Sequence, residues 1–158
     1  MKIKLLYVGK EDAGVFQEAL QQYVDKMQHY IGFSIENIPY IKNSGKSLSV
    51  EQQKTKEGVL MMKKIEPMDI VILLDERGKE YTSVGLAQFI ERKQVSGTKS
   101  LVFIIGGPFG FSQEVYERAN EKLSLSKLTF PHIMSRVLFL EQLYRAFSIL
   151  RNEAYHHE

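Results

Sequence analysis

The sequence has no cysteine. Disulfides and thiolate metal sites are therefore excluded, and a reducing, cytoplasmic setting is favoured. It also lacks any apolar run near the ~18–20 residues that span a bilayer, so no membrane partner is expected. The opening stretch, Met1 to Gly9, has an apolar core too short for a signal peptide and reads as a first strand. There is no excess of one charge: 21 basic against 19 acidic residues leave a net +2, which names no partner by itself. There is no internal repeat and no linker, so residues 1–158 are expected to form one domain.

Two phosphate-binding patterns also fail. Asn43-Ser44-Gly45-Lys46-Ser47 ends like a P-loop, but Tyr40 stands where its first glycine belongs. Gly106, Gly107 and Gly110 do not form the dinucleotide-binding G-x-G-x-x-G. His156-His157 has no companion at metal-ligand spacing, so no metal is expected.

What is present is ordinary globular composition, 44% hydrophobic and 25% charged, arranged as alternating strands and helices. Lys2–Val8 and Phe33–Ile38 read as strands. Phe16, Ala19, Leu20, Tyr23, Val24 and Met27 have the spacing of an amphipathic helix. Ser49 and Gln52 have the spacing of a capping box before a weakly amphipathic helix to about Ile65. Asp69–Leu74 and Ser100–Ile105 are continuous apolar runs, with a helix from Ser83 to about Gln94 between them. Ser112 is an expected N-cap for a short helix through Asn120. A final helix is expected from about Met134 to Asn152. Apolar strands flanked by helices predict an α/β fold with a mostly parallel sheet covered on both faces.

Ligands of such sheets bind at the carboxyl ends of the strands. That directs attention to Asp75-Glu76-Arg77-Gly78 and to Gly106-Gly107-Pro108-Phe109-Gly110. The second turn is either a tight strand-to-helix connection or a place where backbone approaches a ligand. Residues 42–64 carry six lysines against Glu51 and Glu57. This is either a solvated helix face or a contact for a polyanion.

The segment Leu123–Phe130 fits neither strand nor helix, whereas the final helix is apolar over most of its circumference. Its polar residues Glu141, Arg145, Ser148 and Asn152 form one narrow stripe. Such a helix needs a second burial partner, and a symmetric dimer is the simplest. Arg136 lies off that stripe, either at a fraying helix start or turned into a polar site. The end, Tyr155-His156-His157-Glu158, is either a frayed terminus or a source of a proton acceptor and a stacking surface.

Five blocks together resemble one family: KIKLLYVGK at 2–10, LLDERGK at 73–79, IIGGPFG at 104–110, LSLSKLTFPHIMSRVLFLEQLYRA at 123–146, and YHHE at the end. The chain is similar over its whole length to the ribosomal RNA large subunit methyltransferase H family, bacterial members of the SPOUT class. The resemblance implies a C-terminal trefoil knot, a homodimer and S-adenosyl-L-methionine as methyl donor. It implies methylation of a pseudouridine at N3, in a 23S rRNA stem-loop facing the other ribosomal subunit. It assigns the cofactor to Leu74, Gly106, Leu125, Ser126, Lys127, Leu128, Thr129 and Phe130. Arg136, Tyr155 and His156 fall to the RNA or catalytic side. His157 and Ala154 depart from the family's usual Arg or Lys and Pro. Two rival readings are a SPOUT methyltransferase of another RNA, with a ribose or tRNA-base target, and a non-catalytic ribosome-binding protein of the same fold.

Overall fold

Five strands, the central ones rich in apolar residues, form the sheet of this chain, seen in a computed structural model that describes residues 1–10, 14–41 and 48–156. The elements are β1 (Lys2–Val8), α1 (Val15–Gln28), β2 (Gly32–Ile38), α2 (Val50–Met62), β3 (Ile70–Glu80), α3 (Ser83–Val95), β4 (Ser100–Ile105), α4 (Gln113–Arg118), β5 (Glu121–Ser124) and α5 (His132–Leu150). The strand order is β2-β1-β4-β3-β5, and every pairing is parallel. The α/β class and the parallel sheet are those expected. A trefoil knot is not visible among the described residues.

Period-two alternation decides which strand residue meets which layer. Ile3, Leu5, Tyr7, Ile72, Leu101, Phe103 and Ile105 face α1, α3 and α5. Leu6, Val8, Val71, Leu73, Val102 and Ile104 face α2 and α4 through Met61 and Val115. The central strand β4 is buried along its whole length, which is why its sequence is apolar without alternation. Phe103 of β4 meets Phe139 of α5 at a ring separation of 4.7 Å.

The expected capping box of α2 is formed. Ser49 Oγ accepts from the Gln52 amide at 3.2 Å, and Gln52 Oε1 accepts from the Ser49 amide at 3.0 Å. Ser112 precedes α4 as expected, but its hydroxyl makes no cap bond. It is buried against Gly58 of α2 instead.

Two further expectations need correction. β3 does not stop at Leu74; it continues to Glu80 through a register shift between Leu74 and Lys79. Gly78 allows the shifted strand to lie flush on β5, because a Cβ there would sit 2.5 Å from the Leu123 carbonyl carbon. The start of the segment read as irregular is the four-residue strand β5, which is too short and too mixed in character to announce itself. The P-loop-like residues 43–47, with Lys42, lie outside the described residues, as do His157 and Glu158.

Candidate functional site

The carboxyl ends of β3 and β4 open into a cavity of about 400 Å³. Three segments enclose it: the shifted part of β3, the turn after β4, and the loop between β5 and α5. Of the residues expected to hold a cofactor, Leu74, Gly106, Leu125, Ser126, Leu128, Thr129 and Phe130 line this cavity. Lys127 does not; its ammonium group turns back towards the Glu76 carbonyl at 3.4 Å.

Each wall is fixed by local chemistry. In the turn after β4 the Gly110 amide donates to the Gly107 carbonyl at 3.0 Å, with Pro108 next in the chain. Gly110 has φ 78°, a conformation that excludes most side chains. A Cβ on Gly106 would sit 3.1 Å from the Phe111 ring. The loop from Leu125 to Phe130 is ordered by its own serines. Ser124 Oγ donates to the Ser126 carbonyl, and the Leu128 amide donates to Ser126 Oγ, both at 3.0 Å. A segment that satisfies its backbone through side chains has neither strand nor helix periodicity.

Asp75 and Arg77, from the strand end to which the sequence directed attention, also line the cavity, as do Tyr116, His132 and Ser135, which sequence reasoning did not single out. Tyr116 Oη donates to Asp75 Oδ2 at 2.6 Å. Burial first, and then that carboxylate, push the Tyr116 pKa up to about 12, so the phenol keeps its proton at neutral pH. The second Asp75 oxygen accepts from the Arg77 amide at 2.8 Å. Burial, and then the Arg136 charge, hold the His132 pKa below its ordinary value, so its imidazole is neutral near pH 7. The acidic and basic residues after Leu74 were the available signal. They sit where a strand end of this architecture exposes its side chains.

Arg136 is not at a fraying helix end. It is only 4% exposed. Its guanidinium lies 4.2 Å from the Tyr7 ring centroid, and its Nε donates to the His132 carbonyl at 3.3 Å. It stands behind the cavity wall, one helical turn from His132, rather than in the lining.

Tyr155 and His156 lie elsewhere. Tyr155 packs edge-on against Tyr144 at 4.8 Å, donates to Glu141 at 3.3 Å, and carries the Arg145 guanidinium 4.7 Å above its ring. Partial burial and the neighbouring Tyr23 raise its pKa to about 12. His156 Nδ1 is 3.5 Å from Arg145 Nη1. The cavity touches α5 at Ser135, whereas Arg145 is ten residues on, roughly 15 Å along the axis at the helical rise. Within one chain, then, the structure brings together the expected cofactor residues and separates them from the tail. The polar stripe of α5 is also not a solvated face: Ser148 is fully buried, and Arg145 is bonded to Glu141 at 2.9 Å. Met134, Leu138, Glu141 and Arg145 remain half-buried on one side of the helix.

An open parallel sheet with a ligand-sized cavity at its carboxyl ends is joined here by sequence kinship. The family model described as a predicted SPOUT methyltransferase matches residues 1–156, and the chain belongs to that family of methyltransferases. Its relatives narrow the assignment. The ribosomal RNA large subunit methyltransferase H of Parabacteroides distasonis is 54% identical over 158 residues, covering 100% of both chains. The proteins of the same name from Phocaeicola vulgatus and Bacteroides fragilis are 53% and 51% identical, again over 100% of both chains. The particular family is thus that of ribosomal RNA large subunit methyltransferase H. Among solved structures, a probable methylase family protein from Haemophilus influenzae Rd KW20 matches with a TM-score of 0.50 at 14% identity. The match covers 99% of this chain and 70% of that one, a likeness that speaks for the fold.

Proposed function

We propose that this chain, acting as one domain over residues 1–158, transfers a methyl group from S-adenosyl-L-methionine to N3 of a pseudouridine in 23S rRNA. It works in the cytoplasm as a homodimer. The observation that carries this reading is the cavity at the ends of β3 and β4. Seven of the eight cofactor positions implied by kinship line it, and their identity fits the donor. An adenine ring needs an apolar slot with backbone polar groups at its rim, which Leu74, Leu125, Leu128 and Gly106 would supply. The volume suits a ligand of this size, and the missing side chain at Gly106 leaves room for the Phe111 ring at the cavity wall.

When bound, S-adenosyl-L-methionine supplies an electrophilic methyl group on a sulfonium sulfur. The protein's work is then orientation, exclusion of water and removal of one proton. The turn from Gly106 to Gly110 and the serine-ordered loop hold the donor. Asp75, fixed by Tyr116 and Arg77, presents a carboxylate at the cavity wall. Arg136, buried against Tyr7, orders the start of α5 and lends positive potential to the site. Tyr155, with its raised pKa, acts as a hydrogen-bond donor rather than a base. His156 is the proposed acceptor of the N3 proton.

The distance between cavity and tail supports the dimer. His156 reaches a methyl donor only if the tail of a second copy enters the cavity, and the half-buried strip of α5 is the surface proposed for pairing. The lysines of 42–64 are proposed to bind phosphate without reading sequence. Lys54 and Lys64 already share ion pairs with Glu51 and Glu36, so their contribution is tempered.

The test is methyl transfer from labelled donor to intact ribosomes, large subunits and free rRNA, followed by mapping of the modified base. Label at N3 of one 23S pseudouridine is expected. Label on a ribose or on tRNA would assign the chain another target. Failure to bind the donor at all would leave only a ribosome-binding protein.

A further inference from the structure

α2 covers the sheet face opposite α5, yet its inward side is polar where an apolar stripe belongs. Gln53 and Glu57 are 3% and 2% exposed, and Gln53 Nε2 donates to Glu57 Oε1 at 3.0 Å. This inward polar pair is why the helix shows only weak amphipathicity. The other carboxyl oxygen, Oε2, faces the turn after β4: a Cβ on Gly107 would stand 2.6 Å from it. Gly107 therefore has no side chain where the carboxyl group lies. Gly58 reverses the arrangement, since a Cβ there would stand 2.4 Å from Ser112 Oγ. Two glycines, one on each partner, let α2 and the segment from Gly106 to Ser112 meet backbone to side chain.

The same turn thus has the cavity in front, where Gly106 and Gly107 line it, and a buried carboxyl group behind. Burying a carboxyl group is costly, and an apolar side chain would fill the space more cheaply. Burial raises the Glu57 pKa, and the bond from Gln53 opposes that rise only in part. One carboxyl oxygen is thus set against Gln53 and the other against the peptide groups of a turn that has no regular partner strand.

We propose that Glu57 is a positioning residue for the methyl donor: its carboxyl group, oriented by Gln53, braces the back of the Gly106–Gly110 turn and so fixes the backbone that contacts the donor. The inference rests on the methyl-donor reading of the cavity. It also gives α2 a part in the site, although no residue of α2 lines the cavity.

The experiment is calorimetric titration of S-adenosyl-L-methionine into the full chain and its variants, each held well below its own melting temperature. Hydrogen exchange is followed at Gly107 and Gly110. Glu57→Gln keeps the shape of the side chain and an oxygen to accept from Gln53, and should weaken binding by no more than about threefold. Glu57→Ala should weaken it by about tenfold or more and speed exchange in the turn ahead of the rest of the sheet. If Glu57→Ala does not fold, Glu57→Asp retracts the carboxyl group by one methylene and should produce the same loss. A folded Ala or Asp variant that binds the donor within twofold of the parent would overturn the inference. So would a Gln variant as weak as Ala. Absence of binding by the parent chain itself would overturn the donor reading instead, which keeps the two failures distinct.

Discussion

The separation of tail and cavity makes a numerical prediction about mixed dimers. Tyr155 and His156 are held back by the turn after α5, where the Glu153 amide donates to the Ser148 carbonyl at 2.9 Å. Beyond Glu153 only three residues lead to His156, a reach of about 10 Å when fully extended. Ser148 is thirteen residues from Ser135 at the cavity, about 20 Å along the helix. A tail anchored in this way cannot serve its own cavity. Consider one variant with a blocked cavity, Gly106→Val, whose branched side chain starts where a Cβ already meets the Phe111 ring at 3.1 Å. Consider a second with an inert tail, Tyr155→Ala with His156→Ala. Each alone should be inactive. After unfolding and refolding an equal mixture, about half the dimers are mixed, and each contains one intact cavity facing one intact tail. Methyl transfer should therefore recover to about a quarter of the parent value per chain under the same two-fold statistics. Recovery near zero, with mixed dimers verified by mass spectrometry, would refute the shared site. Full activity of the tail variant alone would remove Tyr155 and His156 from the reaction.

Other expectations follow from single contacts. Arg136→Ala should lower turnover by at least about tenfold while donor affinity changes little, and Arg136→Lys should not restore it, because a lysine cannot stack flat on Tyr7; parental turnover in steady-state kinetics would assign Arg136 a packing role alone. Gly78→Ala should cost about 2–3 kcal/mol in urea denaturation, since its Cβ meets backbone atoms of Leu123 that cannot step aside; a loss below about 0.5 kcal/mol would contradict the close approach of β3 and β5. His132 has a native pKa below its ordinary value of 6.5, so the unfolded chain binds more protons. Its contribution to stability is full above that value and lost as pH falls through the depressed native pKa. His132→Gln should flatten the fall in urea midpoint between neutral and mildly acidic pH, and an unchanged slope would count against the burial of a neutral imidazole.

The parts of this fold that sequence displayed were those where one physical pattern acts alone. β4 announced itself because burial on both faces removes every polar residue from Leu101 to Ile105. The capping box of α2 showed because Ser49 and Gln52 satisfy it locally. What stayed hidden depends on distant partners. The extension of β3 through Asp75 to Glu80 is stabilised by pairing with β5, and nothing in its charged sequence suggests a strand. The inward turn of Glu57 required Gly107 to be opposite it. The site divides in the same way. The glycine turn and the serine-rich loop were legible as places where backbone meets a ligand, whereas His132 and Tyr116 enter the cavity only through the docking of α4 and α5. The remoteness of Tyr155 from that cavity is a fact of helix length, which composition does not encode.

α5 carries the cavity at its first turns and the tail anchor at its last. It therefore acts as a ruler between two halves of a chemistry that the proposed dimer brings together twice. Its apolar residues can be exchanged for others of like volume without moving either end. Its length has no such freedom: inserting four residues, about one turn, would displace the tail by about 6 Å and turn it by about 40° about the helix axis. Both sites would lose alignment although no residue in either had been changed. Natural variation in this helix should consequently appear as substitutions and not as insertions, a constraint of measure rather than of chemistry.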